Sequence, residues 1–261
     1  MHNHGGGISL VEVSSFGLLA AIACYVFAAL RRSPRGRWPT HRILFWIAGC
    51  LVTALSVQAA TANHDDFAGH ALAHVGLGML APVLLMLSAP VRLALRSLSA
   101  VPARRLARLL RSRPVRFLTH PIPAAVLNLG GLWLVYSGGL YASMHTNGLL
   151  FVVVHTHIFV SGYLFSVSIA GVDPNPHRAP FATRAIVLCV VMAGHSILSK
   201  YLYANPPADV PAASAEAGSM VMYYGGDAAS VVLVVLLCAA WYRDVGRRRG
   251  RSAASRQPST V

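Results

Sequence analysis

Seven apolar segments divide this chain from end to end, each about 20 residues long, which is enough for a helix to cross a hydrocarbon core of about 30 Å. Of the 261 residues, 55% are hydrophobic and 11% are charged, a composition too apolar for a soluble domain. The sequence therefore predicts an all-α, polytopic membrane protein with seven transmembrane helices. Their approximate limits are Ile8–Leu30, Ile43–Ala62, His70–Leu95, Ile122–Tyr141, Leu149–Val172, Phe181–Tyr203 and Ser219–Tyr242.

The basic residues are confined almost entirely to alternate connections between these segments. Of the 22 Lys and Arg, 21 lie in or beside these connections or in the C-terminal tail. Only Lys200 lies near the opposite ends of the segments. Because positive charge marks the cytoplasmic side, we expect the N-terminus outside and the C-terminus in the cytoplasm. Residues 1–245 would form a single seven-helix transmembrane domain, and 246–261 a basic, disordered cytoplasmic tail. The net charge of +14 then reflects membrane topology and contact with the lipid bilayer, and predicts no nucleic-acid partner.

Ionisable side chains recur in four segments at comparable depth beneath the predicted outer face. His70 and His74 are four residues apart, which places both on one face of a helix. Because ionisable groups are costly in a membrane, such residues usually line a cavity or bind a ligand, although some only join helices by hydrogen bonds. The residues concerned are His70, His74, His155, His195 and Asp227.

Imidazoles combined with one carboxylate suit zinc, copper or iron. Five methionines, Met79, Met144, Met192, Met220 and Met222, offer thioethers that would favour Cu(I) if any of them joins the site. His157 lies about 200° around the helix from His155, so the sequence leaves open which of the two faces the site. His2 and His4 at the N-terminus offer a further possible chelate.

Two backbone features complete the pattern. Gly76, Gly78, Pro82 and Pro90 predict a kink or a close helix contact in the third segment. The Pro- and Ala-rich stretch at 205–217 predicts a loop.

The sequence resembles the CtaG family of cytochrome c oxidase assembly factors, in its actinobacterial form. The similar stretches are His70-x-x-x-His74 with GLGMLAPVLLMLSAP, then His120-Pro121, and above all HTHIFVSGYLFSVSIAGVDPNPHR. The resemblance implies a multi-pass protein of the bacterial plasma membrane that supplies copper to the oxidase subunits or helps to assemble them. The metal-binding residues it implies are His70, His74, His155, His157, His195 and, by position, Asp227.

The leading hypothesis is accordingly a copper-binding metallochaperone rather than an enzyme. One alternative is a zinc-dependent membrane hydrolase built from His70, His74, His195, Ser199 and Asp227. Another is a haem protein with His74 and either His155 or His195 as axial ligands. Copper transport across the membrane is a fourth hypothesis. The sequence does not specify an oligomeric state.

Overall fold

The computed structural model describes residues 10–31, 36–62, 66–207 and 210–254, and within them the regular structure is entirely helical. Two π-helical turns, Gly76–Leu80 and Val126–Gly130, join α3 to α4 and α8 to α9. The helices are α1 (Leu10–Leu30), α2 (Thr40–Ala62), α3 (Phe67–Val75), α4 (Ala81–Leu87), α5 (Pro90–Ser97), α6 (Ala100–Leu110), α7 (Arg113–Leu118), α8 (Pro121–Ala125), α9 (Gly131–Ser137), α10 (Leu140–Thr146), α11 (Gly148–Ala170), α12 (Phe181–Ala204) and α13 (Ala212–Ala254).

The all-helical, multi-span prediction is confirmed for six segments. Six stretches are long and apolar enough to cross a membrane: Val11–Leu30, Thr40–Ala62, Phe67–Ser97, Gly148–Ala170, Phe181–Ala204 and Ala212–Arg247. The predicted fourth span corresponds to Pro121–Ser137, which is apolar but shorter than 18 residues. It covers roughly 25 Å at 1.5 Å per residue, and a break at Gly139, with φ of 71°, separates it from α10. Whether the predicted fourth span crosses the membrane, which would bring the total to seven, stays a prediction, as does the orientation of the termini.

The third span contains both the kink and the close contact that its glycines and prolines predict. Pro82 has no amide hydrogen to give to the carbonyl of Gly78, and the backbone there forms a π turn. Gly162 of α11 lies against that carbonyl, since a Cβ at Gly162 would stand 2.0 Å from the Gly78 oxygen. Further on, the helix breaks at Ala89, whose φ of 55° is left-handed, and Pro90 starts α5.

The Gly-Val-Asp-Pro stretch that follows α11 is linked to the start of α5 by hydrogen bonds. The carboxylate of Asp173 accepts hydrogen bonds from the backbone amides of Val91 and Arg92, at 3.1 and 2.8 Å. The guanidinium of Arg92 donates to the carbonyl of Val172 at 2.6 Å. Amides in the first turn of a helix have no partner within the helix, so Asp173 supplies the missing acceptors from a distant part of the chain.

The helix α13 is longer than the sequence predicts at both ends. It begins at Ala212, so the predicted loop at 205–217 ends at Pro211, and it continues to Ala254, into the tail predicted to be disordered. Arg247 pairs with Asp244 at 3.0 Å, one turn apart on the helix. Residues 255–261 lie outside the described part of the chain.

The packing of α3 determines the position of the candidate site. Helix α3 packs against α2 and α13, its π turn packs against α11, and α12 packs along α13. Apolar side chains that include Phe67, Leu198 and Met222 form a buried cluster at this end of the bundle. The polar residues of α3, α11 and α12 are therefore enclosed by apolar neighbours.

Candidate metal-binding site

Four of the predicted histidines are buried together in the bundle. His70 and His74 of α3, His155 of α11 and His195 of α12 are 4%, 6%, 8% and 5% exposed. Imidazole is polar, and burying it is costly unless a partner or ligand compensates. Three helices thus bring the predicted imidazoles into contact.

The four rings form two pairs. The outer pair, nearer the start of α3, is His70 with His155, whose ring centroids lie 5.6 Å apart. The inner pair, one turn further along α3, is His74 with His195, whose centroids lie 6.2 Å apart. Two imidazoles bound to one metal at about 2.0–2.1 Å have centroids roughly 5–6.5 Å apart. Each pair has a separation compatible with sharing one ion.

The two pairs do not merge into a single centre. In the part of the chain that the structure describes, no three His, Cys, Asp or Glu residues lie close enough together to hold a metal ion. Within those residues the two histidine pairs are therefore described as separate groups of two imidazoles.

The outer pair lies in an aromatic environment. Nδ1 of His155 lies 2.9 Å from the carbonyl oxygen of Phe151, and because a carbonyl only accepts, Nδ1 carries the hydrogen. In the neutral ring Nε2 then holds the lone pair that could bind a metal. The rings that surround His70 at 5.2–6.5 Å are those of Phe67, Tyr136 and Tyr141.

Each ring of the inner pair lies against a glycine, His195 against one in α13 and His74 against one in the π turn of its own span. A Cβ at Gly226 of α13 would stand 2.3 Å from Cε1 of His195, and one at Gly78 would stand 3.3 Å from Cε1 of His74. Nδ1 of His74 and Nε2 of His195 are buried and have no hydrogen-bond partner among the residues described. Both rings line a cavity of about 30 Å³, whose other polar or sulfur-containing side chains are those of Met79, Asn128, Ser166 and Ser230.

His157 is not brought into either pair. Its Nε2 donates to the carbonyl of Leu127 at 3.0 Å, in the π turn between α8 and α9. The ring lies so close to Gly131 that a Cβ there would stand 2.3 Å from Nε2. His155 is therefore the histidine of α11 that faces the site.

Asp227 lies beside the inner pair without joining it. It is half-buried, and its Oδ1 accepts a hydrogen bond from the hydroxyl of Ser196 at 3.4 Å. The preceding residue, Gly226, is the one that contacts His195. His2 and His4 lie outside the described residues.

The sequence distinguishes Met79 in no way from the four other candidate methionines, whereas the structure places it on the inner cavity. In an α-helix, residues five apart point about 140° away from each other, so the sequence gives no reason to group Met79 with His74. The π turn at Gly76–Leu80 bonds i to i+5 and brings the two residues closer to one face. The signal for this turn was the Gly-x-Gly and Pro82 pattern.

Comparison with known proteins gives a family match. A family model described as cytochrome c oxidase caa3 assembly factor matches residues 23–244, which include every described site residue. An uncharacterized protein of Mycobacterium tuberculosis is 36% identical over 197 residues, which are 70% of this chain and 29% of that protein. An uncharacterized protein of Mycobacterium leprae is 30% identical over 257 residues, 88% of this chain and 38% of that protein. The chain thus spans less than two fifths of the length of these relatives. No solved structure matches.

Proposed function

Because the chain belongs to the family of cytochrome c oxidase caa3 assembly factors, we propose that its step in assembly is to bind copper at the buried histidine pairs and to supply it to the oxidase subunits. The observation that carries the proposal is the burial of four imidazoles, from three apolar helices, in pairs whose separation suits a shared ion. The protein would act in the bacterial plasma membrane, with the start of α3 towards the outer face.

The pairwise arrangement suits a protein that must release its metal. A closed shell of four protein ligands holds an ion firmly, whereas two imidazoles leave positions open for an incoming ligand. Copper is here the cargo, and it would leave by ligand exchange, with a bond to the acceptor forming as a bond to an imidazole breaks. No covalent chemistry on a substrate is needed, so the proposed activity is not that of an enzyme.

The geometry favours this function over a zinc hydrolase. A catalytic zinc is held by three protein ligands, and within the described ranges no such group converges. The hydroxyl of Ser199 donates to the carbonyl of His195 at 3.0 Å, within its own helix. Asp227 accepts from Ser196, and in the part of the chain that the structure describes no hydrogen bond joins its carboxylate to a histidine pair.

The geometry also disfavours a haem between His74 and His195. Pockets for molecules of that size occupy roughly 300–1,000 Å³, whereas the cavity that these rings line holds about 30 Å³. That volume is enough for a water molecule or a bare ion.

The test is the metal content of the purified full chain and the oxidase activity of cells that carry its variants. Replacing His74 or His155 by Ala should lower both bound copper and oxidase activity, with the protein level unchanged. His177→Ala, in an exposed connection, serves as the control and should match the wild type. If a variant in which all four buried histidines are replaced still binds copper stoichiometrically, the proposal is wrong. Tightly held zinc would support the hydrolase, and a Soret band would support the haem protein.

A further inference from the structure

The two histidine pairs differ in how they can be reached. His155 of the outer pair lines a groove of about 210 Å³ between α1, α2 and α11, with Ser14, Thr53 and Thr156 among its other lining residues. The inner pair instead lines the smaller and more enclosed cavity of about 30 Å³. An ion could therefore reach the outer pair from the groove, but it would reach the inner pair only from within the bundle.

The two pairs also differ in their donors. Met79 lines the inner cavity together with His74 and His195. Two imidazoles with one thioether form a soft donor set, which favours Cu(I) over zinc. Glycine at positions 78 and 226 leaves room for the two rings, since a Cβ at either position would meet an imidazole. The aromatic shell of the outer pair offers no comparable third donor among the rings that surround it.

We propose that the protein holds Cu(I) at two successive positions: an outer exchange position between His70 and His155, and an inner storage position formed by His74, His195 and Met79. This inference rests on the proposed function and adds to it a second binding position and a sulfur ligand. One turn of α3, about 5.4 Å, separates the positions. An ion moves between them by ligand exchange, one nitrogen bond forming as another breaks, without any change of oxidation state.

Met79 is the residue that distinguishes this arrangement from a single histidine site. With three donors the inner position binds Cu(I) more tightly than the outer one, so copper is retained inside and exchanged outside. Met79→Leu conserves volume and should leave the fold intact. Met86→Leu is the matched control, because Met86 is 1% exposed on α4 and does not line the cavity.

The experiment is an anaerobic Cu(I) titration of the purified full chain in detergent against a chromophoric competitor such as bicinchoninate. We expect two Cu(I) per chain with distinct affinities. Met79→Leu should weaken the tighter position about tenfold or more, which corresponds to about 1.4 kcal/mol, and leave the weaker one unchanged. Met86→Leu should match the wild type. His70→Ala should remove the weaker position alone, and X-ray absorption should show a Cu–S contact that only Met79→Leu abolishes.

Each contrary outcome identifies what is wrong. A single bound copper that is lost on replacing any one of the four histidines would overturn the two-position proposal and leave the proposed function standing. A Met79→Leu variant that binds both ions as the wild type does would overturn the inner three-donor position. A wild-type chain that binds neither Cu(I) nor Cu(II) would overturn the proposed function itself, and one that binds only Cu(II) would overturn the Cu(I) positions alone. The size-exclusion elution volume and the thermal unfolding midpoint of each variant establish that it is folded.

Discussion

His155 and His157 show how the position of a residue on one helix decides which neighbours its side chain meets. Positions two apart point about 200° away from each other, so only one of the two can face α3. Nδ1 of His155 donates to the carbonyl of Phe151, whereas Nε2 of His157 donates to the carbonyl of Leu127. The resemblance implied both residues as ligands, and the structure brings only His155 next to another histidine.

We therefore predict that His157→Ala lowers stability but not copper binding. The carbonyl of Leu127, in a π turn, loses the hydrogen bond from His157 but keeps the one from the backbone amide of Gly131. The loss of one such hydrogen bond costs about 0.5–1.5 kcal/mol. His155→Ala should show the reverse pattern, with a large loss of copper. Metal content and the midpoint of thermal unfolding, measured on both variants, check this. A loss of copper in His157→Ala comparable to that in His155→Ala would contradict the assignment.

Asp66 should make the stability of the α3 start depend on pH. Its carboxylate accepts from the amides of Ala68 and Gly69 and from the hydroxyl of Ser214 at 2.6 Å. The hydrogen bond from Ser214 is the main cause of the lowered pKa of Asp66, and burial opposes it. A lowered folded-state pKa means that the stabilisation is complete above the unfolded-state pKa and is lost as the pH falls through the folded value.

Accordingly, Asp66→Asn should lower the thermal midpoint at pH 7, and the difference from wild type should shrink as the pH falls below the ordinary aspartate range of about 3.9. Glu216→Gln, exposed on the first turns of α13, is the control and should show no such trend. A constant difference across the pH range would mean that the charge on Asp66 contributes nothing to the capping.

At the scale of elements, the contact of α11 with the π turn of the third span positions the inner pair. The Gly78 carbonyl has no amide donor at Pro82 and lies against Gly162. A Cβ at Gly162 would stand 2.0 Å from that oxygen, closer than real Cβ contacts allow, whereas one at Gly148 of the same helix would have no neighbour within 4 Å. The two glycines of α11 thus form a matched pair of test positions.

Gly162→Ala should destabilise the protein by about 1–3 kcal/mol, because α11 and the π turn must move apart to accept the methyl group. Gly148→Ala should be close to neutral. Thermal unfolding of both variants measures the difference, and Cu(I) titration shows whether the displacement of His74 weakens the inner position. Equal midpoints for the two variants would show that the contact is not close in the membrane.

For the whole molecule, the distribution of arginine predicts which ends of the helices face the cytoplasm. Single cysteines placed in a version without Cys24, Cys50, Cys189 and Cys238 test it with a membrane-impermeant maleimide. Ser143→Cys, on α10, should react in intact cells, and Ser99→Cys, before α6, should react only after permeabilisation. This pair also tests the fourth span, since residues 99 and 143 lie on opposite sides only if Pro121–Ser137 crosses the membrane. Reaction of both in intact cells would contradict seven spans.

The sequence by itself determined the helical class, the six full-length spans and which four histidines are buried together. These follow from properties that are local along one helix: apolar length, the i,i+4 spacing of His70 and His74, and the glycines and prolines of the kink. Six spans have the required length in the structure, and the four predicted imidazoles are buried together.

Only the tertiary structure decided how the four histidines are divided into two pairs and which other residues lie beside them. The pairing of His70 with His155 and of His74 with His195, the place of Met79 on the inner cavity and the capping of α5 by Asp173 all depend on which helices are neighbours. A linear pattern specifies which side chains share a face of one helix. It does not specify which face of another helix lies opposite, because that depends on close contacts such as Gly162 with Gly78 and on the shift in register that a π turn introduces.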